Sequence, residues 1–153
     1  MLKNLSKDVK IVRLKPDASG WTVAAGTSNV ASDIIDMAGF DAVQFMVGFG
    51  AITSGAATSI NVQQGAVSTL SDAADLAGTS ITVADTDDNK VAVTEIIRPA
   101  ERYLRLEILR ATQNSAVDFA LALLYGARNV PVTHDSATVI TPEVHNTPAE
   151  GTV

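Results

Sequence analysis

The stretch AVQFMVGF, residues 42–49, decides the fold class of this chain. Large apolar residues occupy every second position, and small or mixed side chains fill the positions between them. Because successive side chains of a strand point to opposite faces, this period of two predicts a β-strand. The second face is typical of a strand that meets a second layer or a neighbouring subunit. One face holds Val43, Phe45, Val47 and Phe49, and the other holds Ala42, Gln44, Met46 and Gly48.

Strand signals continue on both sides of this stretch. Residues 103–110 alternate so that Leu104, Leu106 and Ile108 point inward. Residues 117–125 separate large from small side chains with the same period, and we favour a strand over a helix there because Gly126 follows at once. The large face of that segment is Phe119, Leu121, Leu123 and Tyr125, the small face is Ala120 and Ala122, and further strands are expected at 10–15, 21–24, 32–37, 58–64, 79–85 and 90–97.

About eight or nine short strands at this spacing predict an all-β fold, an antiparallel β-sandwich of a jelly-roll-like kind. At most one short helix is expected, at residues 71–78, where Ser71 can cap the first turn and Gly78 can end the last. The small residues around Gly50 and Gly55 are expected to form a turn between two strands.

The chain divides into three parts on this interpretation. Residues 1–9 are expected to be a flexible basic arm, residues 10–130 a single β-sandwich domain, and residues 131–153 an extended or disordered tail. The tail contains Pro142 and Pro148, many threonines and no periodic face.

Composition favours a protein that assembles with others. Charged residues make up 18% of the 153 residues, below the usual quarter, and mean hydropathy is +0.20. A small domain with so little charge is expected to bury part of its surface against copies of itself or another protein, the alternative being a loop-rich monomer. The chain has no cysteine, which excludes disulfides and thiolate metal sites, and no apolar run long enough to span a membrane.

The net charge of −6 is unevenly distributed. An acidic body argues against nucleic acid as a partner, because neutralising phosphates needs a basic surface. The basic N-terminal segment is a candidate for docking on an acidic protein surface, and a solvated, frayed terminus is the alternative interpretation. The candidate interaction residues are Lys3, Lys7, Lys10 and Arg13, with Lys15 beyond them.

Catalytic equipment is not evident in the sequence. The two histidines, His134 and His145, lie in the expected tail, and consecutive residues such as His134, Asp135 and Ser136 cannot form a catalytic triad. The acidic run 85–89 lacks the glycine and glutamate of an EF-hand, so a hydrophilic turn is favoured, and a looser calcium site remains open. We therefore expect no enzyme, no cofactor and no metal site.

Four stretches resemble a family of small virion structural proteins of tailed bacteriophages and prophages, which we identify with capsid decoration (cement) proteins. The likeness covers roughly residues 8–135 and leaves out the tail. The stretches are DIIDMAGFDAVQFMVGFGAI (33–52), DLAGTSITVADTDDNK (75–90), RPAERYLRLEILR (98–110) and VDFALALLYGARNVPVT (117–133).

This resemblance implies a protein that binds the major capsid protein on the outside of a phage head, commonly as a trimer, with no nucleic-acid or membrane partner. It implies the capsid surface as location, after assembly in the bacterial cytoplasm, and residues 3–15 as the first candidate for the shell-facing part. A head–tail connector, tail tube or tail-tip protein, and a carbohydrate- or receptor-binding module, are the alternatives. Sugar-binding sites generally expose several aromatic residues, and this chain has only seven in all.

Overall fold

The computed structural model describes residues 4–17, 20–146 and 150–151. Within them the chain is almost entirely β, which confirms the predicted fold class. The elements are α1 (Leu5–Asp8), β1 (Lys10–Leu14), β2 (Val23–Gly26), β3 (Val30–Ala31), β4 (Ile35–Asp36), β5 (Ala42–Ile52), β6 (Ala57–Gly65), β7 (Ala74–Asp75), β8 (Ile81–Val83), β9 (Val91–Ile97), β10 (Tyr103–Ala111) and β11 (Ser115–Tyr125).

Two antiparallel sheets form the sandwich. The first sheet has the order β1-β11-β5-β9, with β2 also paired to β11. The second has the order β3-β10-β6-β7, with β4 also on β10 and β8 also on β6. If β1 and β2, β3 and β4, and β7 and β8 are each counted as one position, the chain visits eight positions, arranged 1-8-3-6 and 2-7-4-5. This double Greek-key order is that of a jelly roll.

The core lies between the inner faces of the two sheets. Leu104, Leu106 and Ile108 of β10 are fully buried there, as the alternation predicts. In β11 the small side chains point inward: Ala120 and Ala122 are fully buried. Phe119, Leu121 and Leu123 of that strand therefore lie on the outside of the sandwich, whereas Val117 and Leu124 point inward. The core also contains Leu14, Val43, Phe45, Val47, Phe49, Ile60, Val62, Val117 and Leu124.

The predicted helix at residues 71–78 is wrong. The Asp72 carboxylate accepts hydrogen bonds from the backbone N–H groups of Ala66 and Val67 and so closes a turn, and these bonds lower its pKa. Asp75 lies in the short strand β7, where its carboxylate serves side chains of β6. The carboxylates of Asp72 and Asp75 are thus hydrogen-bonded to neighbouring segments and do not cap a helix.

The turn expected around Gly50 and Gly55 forms at Gly55 only. Strand β5 continues through Gly50, whose missing side chain leaves space for the Asp118 carboxylate. Gly55 has a φ of +85°, a conformation that favours glycine, and it lies in the turn that leads to β6.

A buried arginine connects the two sheets at one end of the sandwich. Arg110 of β10 is only 5% exposed, and its guanidinium donates to the backbone carbonyls of Ser28 (2.7 Å), Ala24 (3.0 Å) and Ser115 (2.8 Å). Burial lowers the pKa of Arg110, and nearby Asp17 opposes that change. These bonds join β10 of the second sheet to β2 and β11 of the first, so the residue is a structural cross-link.

The two edges of the first sheet differ. At β1, the backbone N–H of Ile11 donates to the His134 ring (3.3 Å), and the other ring nitrogen lies 2.9 Å from the Ser6 carbonyl. Lys15 exchanges hydrogen bonds with Asp33, at 3.0 Å through the carboxylate and 3.1 Å through the backbone. The β1 edge is therefore covered, whereas β9 pairs only with β5 among the described strands.

Candidate interaction surface

The outer face of the first sheet is the most distinctive surface of the described chain. The strand registers align Arg13, Leu121, Met46 and Val93 in one row, and Ile11, Leu123, Gln44 and Glu95 in the next. Because paired residues of antiparallel strands share a face, apolar side chains from four strands lie on one surface, with Gln44 and Glu95 among them. This surface, called the apolar face below, consists of Ile11, Met46, Val91, Val93, Ile97, Phe119, Leu121 and Leu123.

Exposure of this face is greatest along β9. Val91 is 46%, Val93 42% and Ile97 65% exposed, whereas the residues on the central strands are half-buried by their neighbours. No described segment of the chain packs over β9 as a further layer. Contiguous apolar surface of this kind marks contact sites with other proteins.

A glycine keeps the face flat. The Phe119 ring lies across Gly48 on the neighbouring strand, and a Cβ atom at position 48 would overlap that ring. The bulkiest side chain of the face therefore lies against the backbone instead of projecting outward.

A shallow pocket of about 340 Å³ extends the face toward α1. Leu5, which is 63% exposed, and Leu123 are among the residues that line it. The Tyr125 hydroxyl at its floor donates to the Glu95 carboxylate at 2.5 Å, and this bond raises the pKa of Tyr125. The pocket is open and mostly apolar, so it is a continuation of the contact surface.

Those basic residues predicted for interaction that the structure describes do not form one patch. Arg13 lies at the β1 side of the apolar face, where its guanidinium is 5.1 Å from the centre of the Trp21 ring, and the Lys15 ammonium is 5.3 Å from the same ring. Lys10 lies on the same face of β1 as Val12, which points inward. Lys10 is half-buried, and its charge helps to lower the pKa of Asp36. Lys7 is exposed in α1, and Lys3 lies outside the described residues.

An arginine-lined cleft of about 530 Å³ lies at one end of the sandwich. Arg98, Arg102 and Arg128 line it together with Asp41 and Glu101. Arg102 makes two hydrogen bonds to the Asp36 carboxylate, at 2.8 and 2.7 Å, which lower the pKa of Asp36 and raise that of Arg102. The charges in and around the cleft are balanced.

The acidic turn 85–89 serves to tie loops together. Asp85 accepts a hydrogen bond from the Gly55 N–H (2.8 Å), Asp88 from the Ile52 N–H (2.6 Å), and Asp87 pairs with Lys90 (2.6 Å). The three carboxylates thus have different partners. Among residues 4–17, 20–146 and 150–151, no three potential metal ligands converge.

The histidines also have local partners. The His134 ring contacts the backbone at Ser6 and Ile11, and the His145 ring lies 3.0 Å from the Glu143 carboxylate. Neither ring is placed beside a nucleophile by these bonds. In the described ranges no helix has the length and apolar character needed to cross a membrane.

Sequence reasoning did not single out the apolar face as a site. The available signal was the composition of residues 117–125, where both faces of one strand lack charge except at Asp118. A strand with apolar side chains on both faces needs packing partners on both faces. The second sheet covers only one face of β11.

Comparisons with known proteins give the chain no family. No protein-family model matches it, and no curated protein does. A similar solved structure is described as "Bacillus endospore appendages form a novel family of disulfide-linked pili". The two share 18% identity over 82% of this chain and 96% of that one, with a TM-score of 0.38, which supports no functional conclusion.

Proposed function

We propose that this protein is a non-enzymatic structural protein of a tailed-phage virion, a capsid decoration (cement) protein that binds the outer face of the head and stabilises it. The apolar face is the observation that carries the proposal, because a domain that functions alone rarely exposes so continuous an apolar surface. The resemblance of residues 8–135 to phage virion proteins supplies the biological setting.

The proposed partner of the apolar face is the major capsid protein. The β1 side of the face carries Arg13 and Lys15 around Trp21, so an acidic region of the shell would complement it. A flat surface with Phe119 laid against Gly48 suits contact with another flat protein surface. The jelly-roll sandwich recurs in viral capsid and lectin domains, although a fold alone does not fix a function.

The mechanism is thermodynamic linkage. A protein that binds the assembled shell and not its separated subunits stabilises the shell by an amount that grows with its affinity and concentration. If each molecule spans a boundary between capsid subunits, its contacts must break before the subunits separate. Repeated copies that also bind one another add avidity.

Stoichiometry in purified particles tests the proposal directly. We expect a ratio near one copy of this protein per copy of the major capsid protein, measured by quantitative mass spectrometry. A few copies per particle would reject a cement role. Rings of about six or twelve copies, seen by electron microscopy, would instead indicate a connector or tube protein.

The contact surface has its own test. The double variant Met46→Gln with Leu121→Gln preserves side-chain size and removes apolar character at the centre of the face. We expect binding to protein-free shells to weaken at least about tenfold. The matched control, Leu109→Gln, lies on the outer face of the second sheet and should bind like the unmodified protein. Equal losses in both would contradict this assignment.

A further inference from the structure

We propose that residues 139–145 of one copy add as an antiparallel strand to the open edge of β9 in a second copy. Such strand addition is a common way for an extended segment to join an exposed sheet edge. The inference concerns contacts between copies of this chain, and it does not depend on a phage shell.

The backbone of β9 offers free hydrogen-bonding groups. The Phe49 N–H donates to the Lys90 carbonyl (3.0 Å), and the Arg98 N–H donates to the Asp41 carbonyl (2.8 Å), just before and just after β9. Because the direction of backbone groups alternates along a strand, the even-numbered residues of β9 face β5. The groups that point away from β5 belong to Val91, Val93, Glu95 and Ile97.

The other described edges are shorter than β9, and that of β1 is partly covered. In the second sheet the edge strands β3, β4, β7 and β8 have only two or three residues each. In the first sheet, β1 is covered by His134 and Asp33. The seven residues of β9 form the long edge that has no cover, and a long, flat, apolar edge is a template for another strand.

An apolar slot lies beside this edge, between the two sheets. It has a volume of about 150 Å³, and Phe49, Ile81, Val83 and Ala92 are among its lining residues. Ala92 and Ile96 of β9 are only partly buried at this open side of the core. A strand added to β9 would place one side chain over the slot beside Ala92 and another over Ile96, along the open side of the core.

The C-terminal segment has the pattern that such a strand needs. Ile140 is fully exposed and Val144 is 48% exposed, although both are apolar. With Pro142 they occupy alternate positions, so in a strand all three would point toward the core side of the sheet. The positions between them are polar and would join the outer face. They are Thr141, Glu143 and His145.

Proline and charge select the register. If Val139 lies opposite Ile97, all seven residues of β9 are paired, and Thr141 lies opposite Glu95. Pro142, which has no N–H, then falls where the N–H would point away from β9, as proline in an edge strand requires. A shift by two residues in one direction would place Glu143 opposite Glu95, which like charge disfavours.

The chain geometry requires a second copy. His134 is held beyond β1, and the position outside β9 is five strand spacings away, about 24 Å. The five steps from residue 134 to residue 139 reach at most about 18 Å. The segment therefore cannot reach its own β9 in this register. In the isolated chain the Val139 N–H donates to the Asp135 carbonyl (2.9 Å), and strand addition exchanges this bond for one to Ile97.

The contact is heterologous, since the tail of one copy meets the edge of the next. Heterologous contacts close into rings when the rotation between copies permits it. Two copies could exchange their tails reciprocally, and a closed trimer is the next smallest assembly.

Cysteine cross-linking tests the pairing, because the chain has no cysteine of its own. In the proposed register Ala92 and Val144 form a pair without mutual hydrogen bonds, with Cα atoms about 4.5 Å apart, a distance that a disulfide can span. We expect Ala92→Cys with Val144→Cys to give covalent oligomers on oxidation, seen on a non-reducing gel. The control, Ala92→Cys with Ser136→Cys, should give at least about tenfold less.

Each outcome of the cross-linking either supports or overturns the proposal. Oligomers that appear only with the matched pair support the proposal. Equal cross-linking in the control, a disulfide within one chain, or no disulfide at high protein concentration would each overturn it.

A second measurement uses charge instead of cross-linking. The variant Ile140→Asp with Val144→Asp should shift the unmodified oligomer to the 15.9 kDa monomer in analytical ultracentrifugation, because burying two carboxylates along the apolar open side of the core is costly. The control, Thr133→Asp with Ser136→Asp, adds equal charge outside the proposed strand and should leave the oligomer intact. A monomeric unmodified chain, or equal loss in both variants, would reject the inference.

Discussion

The side chains on the outer faces of the two sheets differ in whether they are hydrogen-bonded to one another. On the second sheet, the Asp75 carboxylate accepts hydrogen bonds from Asn61 (2.9 Å) and Gln63 (2.8 Å), and Gln63 in turn accepts one from Arg105 (2.8 Å). Glu107 lies 3.5 Å from Arg105 and extends this network. On the first sheet, the corresponding positions carry the apolar face, which makes no such network.

The edges repeat this contrast. The second sheet ends in strands of two and three residues, and the first ends in the seven-residue β9. A surface whose polar groups are already paired gains little from a partner, whereas apolar side chains and free backbone groups gain much. We therefore expect contacts with other proteins on the first sheet, where apolar side chains are exposed and backbone groups are unpaired.

The largest expected effect on stability distinguishes the backbone groups of β9 that face β5 from those that face outward. Thr94→Pro removes an N–H that faces β5 and should lower the free energy of unfolding by about 3 kcal/mol. Val93→Pro removes an N–H that faces outward, so it should cost less than about 1 kcal/mol and yet abolish strand addition. Chemical denaturation and sedimentation measure the two quantities. Similar unfolding energies for both variants would refute the assigned edge.

A smaller effect is expected within the polar network. Asp75→Ala leaves the amides of Asn61, which is 8% exposed, and Gln63 without their acceptor, and should destabilise the fold by about 1 kcal/mol. The comparison variant Glu101→Ala, an exposed carboxylate outside this network, should change the free energy of unfolding much less. Shell binding should be unaffected by either, and a loss of binding in Asp75→Ala alone would place contacts on the second sheet too.

The smallest expected effect depends on pH. Arg102 holds the pKa of Asp36 below its usual value, so this carboxylate stabilises the folded state at neutral pH. As the pH falls below about 4, the unfolded chain binds the proton first and the contribution disappears. The stability difference between the unmodified protein and Asp36→Asn should therefore be small at pH 7, since the pair is exposed, and vanish toward pH 2. A difference that stays constant over this range would contradict the assigned ion pair.

Much of the fold could be predicted from alternation alone. The two faces of residues 42–49 and the inward side chains of β10 follow from the period of two. In a half-buried strand the side chains alternate between the core and the outer face, and the sequence alternates with them. The strand expected at 32–37 was harder to predict: only β4 (Ile35–Asp36) forms within it, and β3 ends just before it at Ala31. Between the two strands Ser32 accepts a hydrogen bond from the Leu106 N–H (3.0 Å).

The candidate site could not be predicted in the same way. In β11 the period of two separates large from small side chains, but it does not say which set faces the core. The core is already filled by Phe45 from the neighbouring strand and by Leu106 and Ile108 from the facing sheet. Ala120 and Ala122 therefore fit there, and Phe119, Leu121 and Leu123 turn outward. That choice depends on the volume supplied by distant parts of the chain. The helix at 71–78 failed for a similar reason, because distant partners engage Asp75.

The phenyl ring of Phe119 lies where the hydrogen atom of Gly48 leaves room for it. A single added methyl group at position 48 would lift that ring and create a ridge in the middle of an otherwise level plane. Any body that rests on this plane would then touch the ridge first and lose contact on both sides of it. How closely a neighbour can approach is thus governed by the smallest residue on the surface.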